Sequence, residues 1–145
     1  MKRKKINEAK ITLTAVSQNE ALARVYISAF ASQLDPTLDE LADVRCAVSE
    51  AVTNCVVHAY KGCEVPGKIY INARLYSDRT ITVEVSDRGC GIEDIEMAMT
   101  PLFTTDRENE RSGMGFSVMK SFTDTIRVTS KPFGGTRVFM SKKFS

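Results

Sequence analysis

"KIYINARLYSDRTITVEVSD", Lys68–Asp87, decides the fold. Two runs rich in β-branched and aromatic residues alternate apolar and polar positions on either side of "SD". That alternation sends every second side chain to the same sheet face, and a short polar break between two such runs marks a β-hairpin. A hairpin makes its two strands antiparallel neighbours.

Upstream, "AKITLTAV" (Ala9–Val16) also alternates and reads as a strand. "SQNEALARVYISAFASQL" follows, with Ser17 and Glu20 in capping-box spacing. Leu22, Val25, Tyr26, Ala29 and Phe30 recur at helical spacing and form its expected apolar stripe. "LDPTLDEL" breaks that helix, and Thr37 or Asp35 can cap a second one. The second helix is expected over Leu38–Tyr60, with Leu41, Val44, Val48, Ala51, Val52 and Cys55 buried and Gly62, Pro66 and Gly67 ending it.

Downstream, "RGCGIEDIEMAMTPLFTTDRENERSG" is long and irregular, with one short helix expected near Glu93–Met99. A loop of this length inside one domain is usually functional or mobile. "MGFSVMKSF" reads as a helix, and "DTIRVTS" and "TRVFMSK" as strands joined by "KPFGG". The order β-α-α-β-β-loop-α-β-β predicts an α+β, two-layer α/β sandwich with a mixed, mostly antiparallel sheet and helices on one face. It lacks the βαβ alternation of a dinucleotide-binding sheet. No repeat or linker interrupts the chain, so residues 1–145 read as one domain.

The net charge of +2 is too small to argue for nucleic acid. The basic run "MKRKK" reads as a solvated tail. No stretch approaches the roughly 20 apolar residues of a membrane span, and no apolar signal core follows the basic start. The expectation is a cytoplasmic protein without membrane association. Cys55, His58 and Cys63 suggest zinc, but a fourth ligand is lacking and Cys55 falls among apolar residues. Reduced, mostly buried thiols are the better reading of Cys46, Cys55, Cys63 and Cys90.

Three places carry chemistry. In "SEAVTNCVVHAY" (Ser49–Tyr60), Glu50, Asn54 and His58 stand at i, i+4 and i+8 on one helix face. Such a line is ordinarily the solvated face of an amphipathic helix. It also suits phosphate chemistry, because an amide oxygen ligates Mg²⁺ and a nearby carboxylate accepts a hydroxyl proton. In "TITVEVSDRGCGI", Asp87 ends a strand before Gly89 and Gly91. A turn accounts for it, and so does a carboxylate accepting from a base amino group with backbone close by. In "PLFTTDRENERSGMGF", Thr104 and Thr105 offer hydroxyls, Arg111 offers a charged fork, and Gly113 and Gly115 open a helix whose N–H groups attract anions. No Walker loop occurs.

Taken together and in this order, E-x3-N-x3-H, D-x-G-x-G after a strand, and R-S-G-M-G-F resemble the GHKL ATPase/kinase superfamily over nearly the whole chain. "SQNEALARV", "LDPTLDEL", "SEAVTN", "PLFTT" and "ERSGMGF" are similar to its sporulation anti-sigma factors of the sigma-F type, which are also protein serine kinases. The resemblance implies a Bergerat ATP-binding sandwich using ATP and Mg²⁺, with ADP as product. It implies Glu50 as catalytic base and Asn54 as the Mg²⁺ ligand. Asp87 would hold the adenine amino group, Gly89 and Gly91 would shape the base pocket, and Thr136 would lie near the base. Thr104, Thr105, Arg111, Ser112, Gly113, Met114, Gly115 and Phe116 would form the phosphate lid, with Arg111 also catalytic. His58 would position rather than transfer protons.

Related lids often carry Lys-Pro after the two threonines, whereas Asp106 and Arg107 stand here. Which cation assists Arg111 is therefore open. The implied partners are a sporulation sigma factor, an anti-anti-sigma protein phosphorylated on serine, and a second copy in a homodimer. Glu20 and Arg24 on the first helix are the expected docking residues. Two alternatives are a nucleotide-gated binder without catalysis and a histidine-kinase-type ATPase domain. The second needs a separate phospho-acceptor domain for which this chain has no room.

Overall fold

A computed structural model of the chain describes residues 3–63, 65–89, 119–120, 122–131 and 134–145. Strand β1 (Lys5–Thr14) leads to helix α1 (Gln18–Ala31) and a 3-10 turn (Ser32–Leu34). Helix α2 (Leu38–Asn54) runs straight into a π-helical turn (Cys55–Ala59). Strands β2 (Lys68–Tyr76), β3 (Thr80–Asp87), β4 (Thr125–Lys131) and β5 (Gly135–Lys143) complete the described elements. Met119, Lys120 and Phe122, at the end of the expected third helix, are helical; the start of that helix and the short helix at Glu93–Met99 lie outside the described residues.

The strands form one sheet in the order β1-β2-β3-β5-β4, with every described pair antiparallel. The α+β sandwich expected from the sequence is therefore present. Strand β1 begins earlier than expected, at Lys5. The β2–β3 hairpin has three linking residues, Ser77, Asp78 and Arg79, rather than two. Arg79 takes a left-handed φ of 68°, the position at which three-residue hairpin loops reverse. Its side chain is secured by donating from a guanidinium nitrogen to Asp35 O at 3.0 Å, and its carbonyl accepts from Phe144 N at 2.9 Å.

Period-2 alternation fixes which side of the sheet faces the helices. Ile69, Ile71, Ala73 and Leu75 of β2, Ile81, Val83 and Val85 of β3, and Val138 and Met140 of β5 are buried under α1 and α2. The other side carries half-buried polar and aromatic residues, among them Tyr70, Asn72 and Arg74. An antiparallel sheet tolerates one wet face in this way.

Helix α2 buries Val44, Ala47, Val48, Ala51 and Val52, close to the expected stripe. Helix α1 buries only part of its expected face: Phe30 is buried and Tyr26 packs against the core, while the rest turns outward. Ala23, Ile27, Phe30 and Ala31 are buried, whereas Leu22 is 46% and Val25 67% exposed, and Ala29 is exposed. The two candidate faces are offset by one residue, and both have helical spacing. Packing against α2 selects the face bearing Ala23, whose small side chain lets the helices approach.

The capping box expected at Ser17 is also absent. Ser17 is already helical (φ −59°, ψ −31°), and its side chain caps nothing. Glu20 turns instead toward α2, where Ser49 Oγ donates to Glu20 Oε1. A capping box does form at Thr37: Glu40 N donates to Thr37 Oγ1 at 3.1 Å, and Thr37 N donates to Glu40 Oε1 at 2.9 Å. Asp35, the other candidate cap, takes a left-handed φ of 53° before it.

Candidate functional site

The site grows from the junction of α2, the π turn and the end of β3. Glu50 and Asn54 lie one turn apart at the C-terminal end of α2, both half-buried. The helix then widens to π geometry from Cys55 to Ala59. A π turn closes i→i+5 rather than i→i+4 bonds, so His58 does not continue the α-helical line of Glu50 and Asn54 as its spacing predicted. Such turns are frequent at functional sites.

Cys55, the first π residue, is 4% exposed and stands beside the end of β3. Its Sγ donates to Asp87 Oδ2 at 3.5 Å. Asp87 Oδ1 accepts from two backbone N–H groups, Gly89 at 2.9 Å and Thr136 at 3.2 Å. Three donors from three segments thus converge on one carboxylate. Burial pushes the Cys55 thiol well above its usual range, and the neighbouring Asp87 charge and hydrogen bond push the same way. The sulfur therefore keeps its proton and acts as donor.

The surrounding backbone is closely fitted. A Cβ at Gly89 would lie 2.0 Å from Ala59 O, so only glycine lets the post-β3 turn pass the π turn. Tyr60 fastens the same junction: its hydroxyl donates to Lys68 O at 2.6 Å and accepts from Arg88 N at 2.9 Å. Burial raises the Tyr60 phenol above its usual value. Arg88 in turn stacks 4.9 Å over the Tyr70 ring.

Asp87, Gly89 and Thr136 are thus brought together, as the resemblance implied, with Thr136 contributing its backbone N–H. Thr136 Oγ1 also lies 2.9 Å from Ser130 Oγ. Gly91, Thr104, Thr105, Arg111, Ser112, Gly113, Met114, Gly115 and Phe116, with Cys90 and Arg107, lie outside the described residues. The sequence reading missed Cys55 and Tyr60 as site residues. Cys55 looked like core because it follows an apolar stripe. Of the three described thiols it alone is buried; Cys46 is half-buried and Cys63 exposed. Burial raises the Cys46 thiol too, reinforced by the charges of Glu50 and Asp43.

The expected docking pair divides. Arg24 is 43% exposed along its side chain, whereas Glu20 is only 14% exposed and engaged by Ser49. Arg24 Nε lies 3.3 Å from Glu20 Oε1 as a charge contact without hydrogen-bond geometry. Glu20 therefore does not present an outward face.

An antiparallel sheet under two helices, with an acid at the end of β3 clamped beside the α2 terminus, defines a class. The family model for the histidine kinase-like ATPase domain matches residues 13–142. The RsbU and RsbW domains of Rv1364c from Mycobacterium tuberculosis share the fold, with a TM-score of 0.69 at 20% identity over 95% of this chain and 32% of that one. A histidine kinase domain from Erythrobacter litoralis EL346 gives a TM-score of 0.57 at 18% identity, over 86% of this chain and 61% of that one.

Curated relatives narrow the class. An anti-sigma F factor of Clostridium acetobutylicum is 50% identical over 96% of this chain and 95% of its own length. One from Caldanaerobacter subterraneus subsp. tengcongensis is 53% identical over 94% of this chain and 93% of its own. The chain belongs to the anti-sigma F factors of the histidine kinase-like ATPase family. No described helix is long and apolar enough to cross a membrane.

Proposed function

We propose that this chain is a cytoplasmic anti-sigma factor and ATP-dependent protein serine kinase. In this reading it holds a sporulation sigma factor inactive as a homodimer and phosphorylates a serine of the anti-anti-sigma antagonist. The observation that supports ATP as ligand is the clamped Asp87 carboxylate. Its fixed acceptor at the end of β3 suits the amino group of adenine. The names of the relatives support the sigma-factor partner.

Among the described residues no group of three or more His, Cys, Asp or Glu gathers. One hard amide oxygen, that of Asn54, suits a cation whose remaining ligands are phosphate oxygens and water. Bound there, Mg²⁺ would neutralise charge on the phosphates. Glu50, one turn before Asn54, would take the proton from the serine hydroxyl as the oxygen attacks the terminal phosphorus and ADP leaves. Gly91 would help shape the base pocket, and the two threonines, Arg111 and the "SGMGF" segment would close on the phosphates. Arg24, Leu22 and Val25 on the outer face of α1 would meet the partner proteins.

The test mixes the chain with γ-labelled ATP, Mg²⁺ and an anti-anti-sigma protein. Wild type should transfer label to serine. Glu50→Gln should transfer at least about 100-fold more slowly, the size expected of a general base. Its ATP affinity should stay within about threefold of wild type, a small effect on the binding scale. Transfer at wild-type rate by Glu50→Gln would remove Glu50 from the chemistry, and no transfer by wild type would leave a nucleotide-gated binder.

A further inference from the structure

The Asp87 carboxylate offers about four acceptor positions. Two on Oδ1 are taken by the N–H groups of Gly89 and Thr136. One on Oδ2 is taken by the buried Cys55 thiol. The carboxylate turns as one plane about a broad terminal torsion, so a donor on Oδ2 adds to the two on Oδ1 in setting where both oxygens point. Among the described residues, only Cys55 donates to Oδ2. The π turn starts at Cys55, immediately before this contact. A purine with a 6-amino group donates to such an acceptor, whereas a 6-oxo group presents a second acceptor and is repelled. The orientation of Oδ2 therefore sets base choice.

We propose that Cys55 is a specificity-positioning residue: its thiol fixes Asp87 Oδ2 in the orientation that selects a 6-aminopurine nucleotide over a 6-oxopurine one. This rests on reading Asp87 as the nucleobase acceptor. The alternative role for a buried cysteine is packing alone, and two substitutions separate the roles. Cys55→Val keeps the side chain apolar, adds roughly one methyl group, and removes the donor. Cys55→Ser keeps a donor and loses packing. A packing role makes valine the milder change; a donor role makes serine the milder change for base selection.

The experiment measures dissociation constants for ADP and inosine diphosphate by calorimetry, with melting temperatures of all variants. Wild type should prefer ADP. Cys55→Val should lower that preference about tenfold, the loss of one charge-assisted contact. That loss should fall on ADP, with inosine diphosphate affinity changed by less than about twofold. Cys55→Ser should keep the preference within about threefold of wild type even if it melts lower. An unchanged preference in Cys55→Val, or an equal loss in both variants, overturns the proposal. A wild type that binds both nucleotides equally overturns the reading of Asp87 and this proposal with it. Wild-type selectivity with an unchanged Cys55→Val overturns only the role of Cys55.

Discussion

At Gly135 the backbone takes φ +89°, and a Cβ there would lie 2.1 Å from Asp87 O and 2.8 Å from Arg88 Cα. Two separate penalties meet at one atom. A side chain rarely adopts that φ, and the contact is with backbone that cannot step aside. Gly135→Ala should therefore cost about 2 kcal/mol or more and displace the Asp87 turn. Nucleotide affinity should fall with it. Gly134→Ala is the comparison, since its Cβ would meet the Cβ of Lys131 at 3.0 Å without a positive φ. Chemical denaturation of both variants checks this; equal loss in both would show that the approach to Asp87 does not matter.

The site was only partly legible in the sequence. Asp87 could be found because acid and glycine after a β-branched run mark a strand end. Thr136 could be found only through the resemblance. The Cys55 contact could not be found, because its partner lies 32 residues along the chain and nothing in either segment announces the other.

Among the elements, α2 depends most on its ends. Glu40 accepts from Thr37 N and from Ser145 N at 2.7 Å, and these backbone donors, Thr37 first, lower its carboxyl to about 2 from an ordinary 4.5. A carboxyl depressed on folding adds stability above its unfolded value. That contribution fades as pH falls from about 4.5 through about 2. Thermal melts across that window should show a steep acid limb that Glu40→Gln flattens. Thr37→Ala should cost about 1 kcal/mol at neutral pH, as loss of an N-cap does. A Thr37→Ala protein as stable as wild type would mean that Glu40 holds the end alone.

Element existence was legible where periodicity was long and uninterrupted, as in β2, β3 and α2. The face of α1 was not, because apolar residues cover more than one stripe of that helix. Nothing local distinguishes Leu22 and Val25 from Ala23 and Ile27. The choice belongs to α2 and the sheet. The π turn was invisible for a similar reason: "CVVHA" continues a helical pattern, and the Gly89 backbone packed against Ala59 comes from a distant segment.

For the whole molecule, the two layers leave the outer side of α1 uncovered, with Val25 67% and Leu22 46% exposed beside Arg24. Arg24→Glu places a negative charge in that apolar setting next to Glu20. If this face receives the partner proteins, affinity for the sigma factor and for the antagonist should each fall about tenfold or more, with little change in melting temperature. Wild-type affinity for both in a pull-down titration would assign docking to another surface.

The sheet order has a consequence for how the chain is made. β1 pairs with β2, and Thr14 and Lys68, which open that pairing, are 54 residues apart. The β2–β3 and β4–β5 hairpins close locally, so their loop-closure cost is small, whereas β1 must wait for the far side of both helices. At synthesis rates of about 5–20 residues per second, that wait is roughly 3–11 s. For those seconds Ile11 and Leu13 emerge before the sheet that will cover them exists, and the bare edge of a nascent strand is open to any neighbouring chain.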